Sequence, residues 1–264
     1  MKNVLITGVS GGMGLATAKE LVKQGYEVYG LDIKEIEEFP GFHFYKTDTT
    51  NEESIDESFK QIKSHIDNLS SIIHFAGIYD LNSLIEMSEE NFTKIFNINV
   101  FSVYRVNKRF IDTLEKGGKI IITTSELASL DPLPFTGVYA ITKSALDKYA
   151  YSLRMEVQLL DYKVVVLRPG AVSTGMINVS TDKLEKFSKS TTHYQYNAKK
   201  FKEIVDKVES KTIPPEKIAN LVSKILIKRN PKYVYKINQN LGLKLLNILP
   251  RRLKNKIIKN IISK

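Results

Sequence analysis

The sequence contains no cysteine, which excludes disulfide bonds, thiolate metal centres and cysteine nucleophiles. Its four histidines, His43, His65, His74 and His193, show no metal-ligand spacing and read as surface or packing residues, so no metal site is expected. Nothing approaches the roughly 18 consecutive apolar residues of a membrane-spanning helix. The opening MKNVLITG enters a strand pattern directly, without the leader of a secreted chain, so the expected compartment is the cytoplasm. Acid is missing from one region in particular: from Lys217 onward there are thirteen Lys or Arg and no Asp or Glu. The residues before it hold 26 basic and 29 acidic groups, so the formal charge of +10 is a basic tail on a near-neutral body. That distribution is not the spread basic face of a nucleic-acid binder, and no nucleic-acid partner is expected.

What is present fits one sizeable α/β unit. The 264 residues are 42% hydrophobic and 26% charged, an ordinary globular balance. Short β-branched runs at 2–7, 26–32, 42–48, 70–77, 117–125, 163–170 and 232–237 alternate with amphipathic stretches at 14–25, 51–67, 88–115, 137–160 and 215–229. Continuous apolar strands separated by helices predict a doubly wound parallel sheet of about seven strands covered on both faces, a Rossmann-type fold. No repeat or low-complexity linker divides the chain, so 1–264 reads as a single domain.

Residues 7–14, TGVSGGMG, follow the first strand and open the first helix. Glycine costs roughly 0.5–1 kcal/mol in regular structure relative to alanine, so such a cluster does a backbone task. A flexible turn is the plain reading; a cradle for a pyrophosphate at a helix N-terminus is the other. Asp32 ends the second strand, where a carboxylate accepts hydrogen bonds from adenosine ribose hydroxyls and repels a 2′-phosphate. Strand, glycine loop and acid in this register favour the dinucleotide cradle.

With these residues in place the sequence resembles the short-chain dehydrogenase/reductase family. TGVSGGMG matches its TGxxxGxG fingerprint, and YAITK (139–143) matches its YxxxK pair. TTS (123–125) ends the fifth strand where the family's serine lies, and NINV (97–100) supplies Asn99. RPGAVST (168–174) matches the PG motif with its downstream threonine, and KTDT (46–49) offers the aspartate that reaches the adenine. The motifs cover about residues 1–175 in the family's order. The resemblance implies Asn99, Ser125, Tyr139 and Lys143 as the catalytic set. It implies Gly8, Ser10, Gly12, Met13, Gly14, Asp32, Asp48, Thr49, Ala76, Gly77, Tyr139, Lys143, Pro169, Val172 and Thr174 as cofactor-binding residues. Two departures stand out. The family's NNAG segment is HFAG here (74–77), which predicts local rewiring of the sheet without loss of chemistry. Ser125 also lies one residue farther from Tyr139 than is usual, with Glu126 at the usual offset; LDPLPF (130–135) is the loop able to absorb the extra residue.

Moving a hydride between a nicotinamide and a carbonyl requires a proton to enter or leave at the oxygen. A phenol titrating near 10 is a poor base at neutral pH. Tyr139 and Lys143 lie one helical turn apart, so the ammonium is expected to draw the tyrosine down toward working pH. The resemblance gives Lys143 the nicotinamide ribose, Ser125 the substrate oxygen, and Asn99 a water that relays protons from Lys143. Asp32 followed by Ile33, with Lys34 the nearest cation, points to NAD(H) over NADP(H).

Residues 175–212 fall where this family builds its substrate lid, and Tyr194, Tyr196 and Phe201 either line a pocket or pack on the sheet edge. LPF (133–135) is expected to present apolar groups to the substrate. The extended C-terminus resembles branches of the family that handle steroids, retinoids or long-chain ketones, so a small hydrophobic alcohol or ketone is the expected substrate. Two alternatives stay open: a non-catalytic dinucleotide sensor or interaction protein, and a soluble 3-oxoacyl-type reductase. In the extension 241–264, the arc of Leu253, Ile257, Ile258, Ile261 and Ile262 sits opposite Asn255, Lys256 and Lys259, with Lys254 at its edge. Such a helix serves an anionic membrane surface, a subunit interface in a homo-oligomer, or packing on the body.

Overall fold

The computed structural model describes residues 2–209 and 211–263; Ser210 of the lid segment and Lys264 of the tail lie outside the described residues. The strands are β1 (Lys2–Thr7), β2 (Tyr26–Asp32), β3 (Phe42–Lys46), β4 (Leu69–His74), β5 (Leu114–Thr123), β6 (Lys163–Pro169) and β7 (Val234–Ile237). They form one sheet in the order β3-β2-β1-β4-β5-β6-β7, and every neighbouring pair is parallel. The chain is therefore a Rossmann-type α/β protein, as its alternating runs predict.

Strand side chains alternate between two cores because the pleat has a period of two residues. Val4 and Ile6 enter the core beneath α1 (Gly12–Lys23) and α8 (Glu216–Leu226). Leu5 points the other way, with Ile72, Ile120 and Val164, toward α2 (Glu52–Lys63), α4 (Ser102–Phe110) and α5 (Gly137–Val157). A third apolar cluster lies beyond the strand ends. There α6 (Gly175–Ser190) and α7 (Gln195–Glu209) bring Leu184, Phe187, Phe201 and Val205 against Leu81 and Phe135. The strand order reverses between β1 and β4, which opens a crevice at their carboxyl ends.

The predicted helix over 88–115 is divided. α3 (Glu89–Phe96) passes through a π-helical turn, Asn97–Phe101, before α4 begins, and β5 starts at Leu114 rather than Gly117. The C-terminal extension folds as two helices, α9 (Leu241–Ile248) and α10 (Arg251–Ile262). α10 packs on α7, with Ile257, Ile258 and Ile262 half-buried and Lys254 turned inward onto Asp131.

Candidate functional site

The first turn of α1 stands at the crevice. Its N-cap, Gly11, makes no side-chain capping bond and its first turn carries no acidic residue. The leading N–H groups therefore remain available to an anion. The loop shape demands glycine at two positions. Gly8 has φ +77°, and a Cβ there would lie 2.5 Å from the Ala76 nitrogen; at Gly14 a Cβ would lie 2.2 Å from the Gly8 oxygen. Asp32 closes the loop from the side, its Oδ2 accepting the Ser10 N–H at 2.9 Å and its Oδ1 the Lys34 N–H at 3.1 Å. Lys34 thus meets Asp32 through its backbone, and Lys46 pairs with Glu35 at 3.1 Å.

Gly8, Ser10, Asp32, Asp48, Thr49, Ala76 and Gly77 line one groove, whose outer wall includes Glu89 and Glu90. Met13, Gly77, Ser125, Tyr139, Lys143, Pro169, Val172 and Thr174 line a second cavity. The two share Phe75, Gly77 and Ile78, so they run into one another. Gly12 lies beneath them, where a Cβ would come 2.8 Å from the Thr174 methyl group. An extended dinucleotide, phosphates on the uncapped helix and adenosine beside Asp32, fits these residues.

α5 delivers Tyr139 and Lys143 to the second cavity on one face. Arg168 of β6 grips Asp147 of the same helix through two hydrogen bonds of 3.0 and 2.7 Å, fixing α5 against the sheet. Ser125 follows β5, accepts the Leu127 N–H at 3.2 Å and is hydrogen-bonded to the Tyr139 side chain. In the loop between Ser125 and Tyr139, Phe135 has a φ of 64°, unusual for a bulky side chain. Packing of its ring against Phe187, Tyr194 and Phe201 holds that conformation. Leu133, two residues earlier, faces the cavity. Of the three aromatics in 175–212, Phe201 lines the cavity, Tyr194 packs on Phe135 and Tyr196 is 39% exposed.

Asn99 is buried behind the cavity in the π turn. Its Oδ1 accepts the Ile78 N–H at 2.8 Å, and its Nδ2 donates to the Ile78 carbonyl at 3.0 Å and to Thr142 at 3.1 Å. It therefore pins the backbone beyond β4 to α5. Lys143 donates to the Thr123 carbonyl at 3.2 Å.

The tyrosine does not titrate as its lysine neighbour alone suggests. Burial pushes Tyr139 up to about 12, with the Ser125 hydrogen bond opposing and the Glu126 charge adding to the rise. Burial likewise holds Lys143 down to about 8. The ammonium lies 5.7 Å from the centre of the phenol ring. In a dry cavity the desolvation of both groups outweighs their mutual attraction.

In HFAG the first position is taken up by a buried hydrogen-bond chain. His74 replaces the first asparagine, is fully enclosed, and its Nε2 meets Asn107 Oδ1 at 2.8 Å; Asn107 in turn donates to Tyr149 at 3.1 Å. Desolvation lowers His74 from 6.5 to about 4. The folded protein thus excludes a proton that the unfolded chain binds between those values. Stability is full above pH 6.5, and on the order of 3 kcal/mol is lost as pH falls to 4. Urea titrations at several pH values should show that slope, and His74→Asn should flatten it; parallel curves for the two proteins would contradict the assignment.

No site role for Tyr79 or Leu243 is read from the sequence, which marks Glu126 only by its offset from Tyr139. Tyr79 packs edge-on against Tyr139 with ring centres 4.5 Å apart. Glu126 lines the cavity, and its Oε2 accepts the Asn240 N–H at 2.7 Å, joining the catalytic loop to the start of α9. Leu243 of α9 lines the cavity wall.

A parallel doubly wound sheet with a glycine cradle at its switch point and a buried Ser-Tyr-Lys group beyond it defines a dinucleotide-dependent oxidoreductase. The short chain dehydrogenase family profile matches residues 2–185. The chain is 28% identical over 236 residues to a 3-ketodihydrosphingosine reductase of Bacteroides thetaiotaomicron, covering 89% of this chain and 87% of the other. It is 30% identical over 205 residues to estradiol 17-beta-dehydrogenase 2 of Mus musculus, covering 70% of this chain and 52% of the relative. A short chain dehydrogenase family protein of Francisella tularensis shares the fold with a TM-score of 0.74 at 24% identity, over 90% of this chain and 97% of that one. This chain belongs to the short-chain dehydrogenase family, oxidoreductases of alcohols and ketones that use a nicotinamide dinucleotide.

Proposed function

We propose that this chain is an NAD(H)-dependent reductase of hydrophobic ketones, working between a secondary alcohol and its ketone. The observation that carries the reading is the cavity around the reactive group. Met13, Leu127, Leu133, Val172, Phe201 and Ile204 surround a polar floor made by Ser125, Tyr139 and Lys143. An apolar wall with a few convergent polar groups suits a lipophilic molecule presenting one oxygen. Similarity to proteins named for 3-ketodihydrosphingosine and estradiol points the same way. Asp32 favours NAD(H), since a 2′-phosphate would meet its carboxylate, and Glu89 and Glu90 outnumber Lys94 along the same groove.

When bound, the nicotinamide supplies or accepts the hydride. Ser125 hydrogen-bonds the substrate oxygen and stabilises charge gathering there. Tyr139, protonated throughout the physiological range, donates its phenolic proton to that oxygen in reduction. Lys143 is the nearby cation that steadies the phenolate left behind and shuttles its replacement proton. Asn99 keeps the Ile78 backbone and Thr142 in place around them.

Because Lys143 titrates near 8, kcat/KM for ketone reduction should stay level below about pH 8 and fall above it as the ammonium is lost. A reductive rate that climbs through that range would contradict the role given to Lys143. The substrate class is tested by following NADH oxidation with ketosteroids, retinal, long-chain 3-ketones and simple aldehydes. Large apolar carbonyls should be preferred; turnover confined to small polar aldehydes would overturn the substrate assignment.

A further inference from the structure

The C-terminal extension carries two unpartnered stripes of different chemistry on consecutive helices. On α9, Leu241, Leu245 and Ile248 are 71%, 66% and 78% exposed. Their spacing of four and three residues puts them on one face. On α10, Arg252, Lys256 and Lys259 repeat the same spacing and are all exposed. Among the described residues none of these three cations forms an ion pair. No acid follows residue 216 to offset them.

The inner faces of both helices are fastened. Glu126 holds the Asn240 N–H and Asn240 caps α9 through the Leu243 N–H at 3.1 Å. Asn247 accepts the Asp131 N–H at 3.1 Å, Lys254 is buried against Asp131, and Asn197 holds the Ile262 carbonyl at 2.7 Å. The apolar and cationic stripes are therefore the outer surface of a docked element. Leu243, on the inner side of α9, lines the reactive cavity.

We infer that α9 and α10 dock this protein on an anionic lipid surface, with the α9 stripe entering the headgroup boundary and the α10 cations meeting lipid phosphates. Charge and hydrophobicity decide the occupant together. A nucleic acid would satisfy Arg252, Lys256 and Lys259 but leave three large aliphatic side chains in water. A second copy of the chain would bring like charge against like charge. An anionic bilayer accepts both stripes at once. Resting on the hydrophobic-ketone reading above, the same docking sets the cavity wall beside the membrane in which such substrates dissolve.

The test is co-sedimentation of the full chain with vesicles of phosphatidylglycerol and phosphatidylcholine, and with phosphatidylcholine alone. The chain should pellet with the anionic vesicles, stay in solution with the neutral ones, and be released by high salt. Leu245→Ser with Ile248→Ser, and separately Arg252→Glu with Lys256→Glu and Lys259→Glu, should each lower the partition coefficient at least about tenfold. Circular dichroism and NADH binding should be unchanged in both variants, separating docking from folding and from the substrate assignment. Three results would overturn the inference: no binding to anionic vesicles, equal binding to both kinds, or a dimer seen by light scattering that the Leu245→Ser, Ile248→Ser variant dissolves.

Discussion

Tyr139→Phe should abolish ketone reduction while leaving NADH affinity within about twofold of the parent. General acid catalysis contributes on the order of a hundred- to ten-thousandfold, and a loss of about a thousandfold in kcat is expected here. The substitution removes one oxygen and keeps the ring that packs edge-on against Tyr79. It also leaves Lys143 on the Thr123 carbonyl, so the ribose side of the site is undisturbed. Burial holds the phenol near 12, so it keeps at neutral pH the proton that the substitution removes. Glu126 faces the same cavity, but one of its oxygens is committed to the Asn240 N–H. A variant retaining activity within about tenfold of the parent would remove Tyr139 from the proton path.

Asp32 should govern cofactor choice. Its two carboxylate oxygens hold the backbone of the glycine loop on one side and of Lys34 on the other, which fixes the charge at the mouth of the adenosine groove. A 2′-phosphate placed there meets the Asp32 carboxylate, and Lys94 is the lysine that lines the same groove. Parent kcat/KM should favour NADH over NADPH by about tenfold or more. Asp32→Ala combined with Ile33→Arg should level or reverse that ratio, since Ile33 is exposed at the groove edge and its replacement brings a phosphate partner. Equal use of both cofactors by the parent would show that Lys34 or Lys46 overrides the carboxylate.

The parts of this account that were legible in the sequence are those carried by short spacing. The glycine loop, Asp32 at a strand end and the one-turn separation of Tyr139 and Lys143 are each set within a few residues, so pattern and geometry agree. The sheet was legible because its inner strands are continuous apolar runs. The π turn at Asn97–Phe101 was not, since shifting the backbone hydrogen bonds by one residue leaves no mark on hydrophobic period. Nor was the direction of the Tyr139 shift. Spacing reveals the neighbouring ammonium, whereas the desolvation that raises the phenol depends on its burial in the folded chain, where Tyr79 packs against the ring. Glu126 had no visible role because its partner, Asn240, lies 114 residues away. The tail shows the same limit. Of the apolar arc predicted in α10, Ile257, Ile258 and Ile262 are half-buried while Leu253 and Ile261 stay exposed, and α9 adds an outward apolar face whose exposure only the folded chain defines.

On the proposed function, this chain passes hydride from NADH to the carbonyl carbon of a hydrophobic ketone. That transfer is tested most directly by reacting the enzyme with NADH deuterated at C4 of the nicotinamide, separately for each face, and a long-chain ketone. Mass spectrometry of the alcohol then locates the label. One deuterium is expected on the carbinol carbon from one of the two labelled cofactors, and no product with Tyr139→Phe. Tight NADH binding without any deuterated alcohol across the ketone panel would contradict it, leaving a dinucleotide-binding protein without this chemistry.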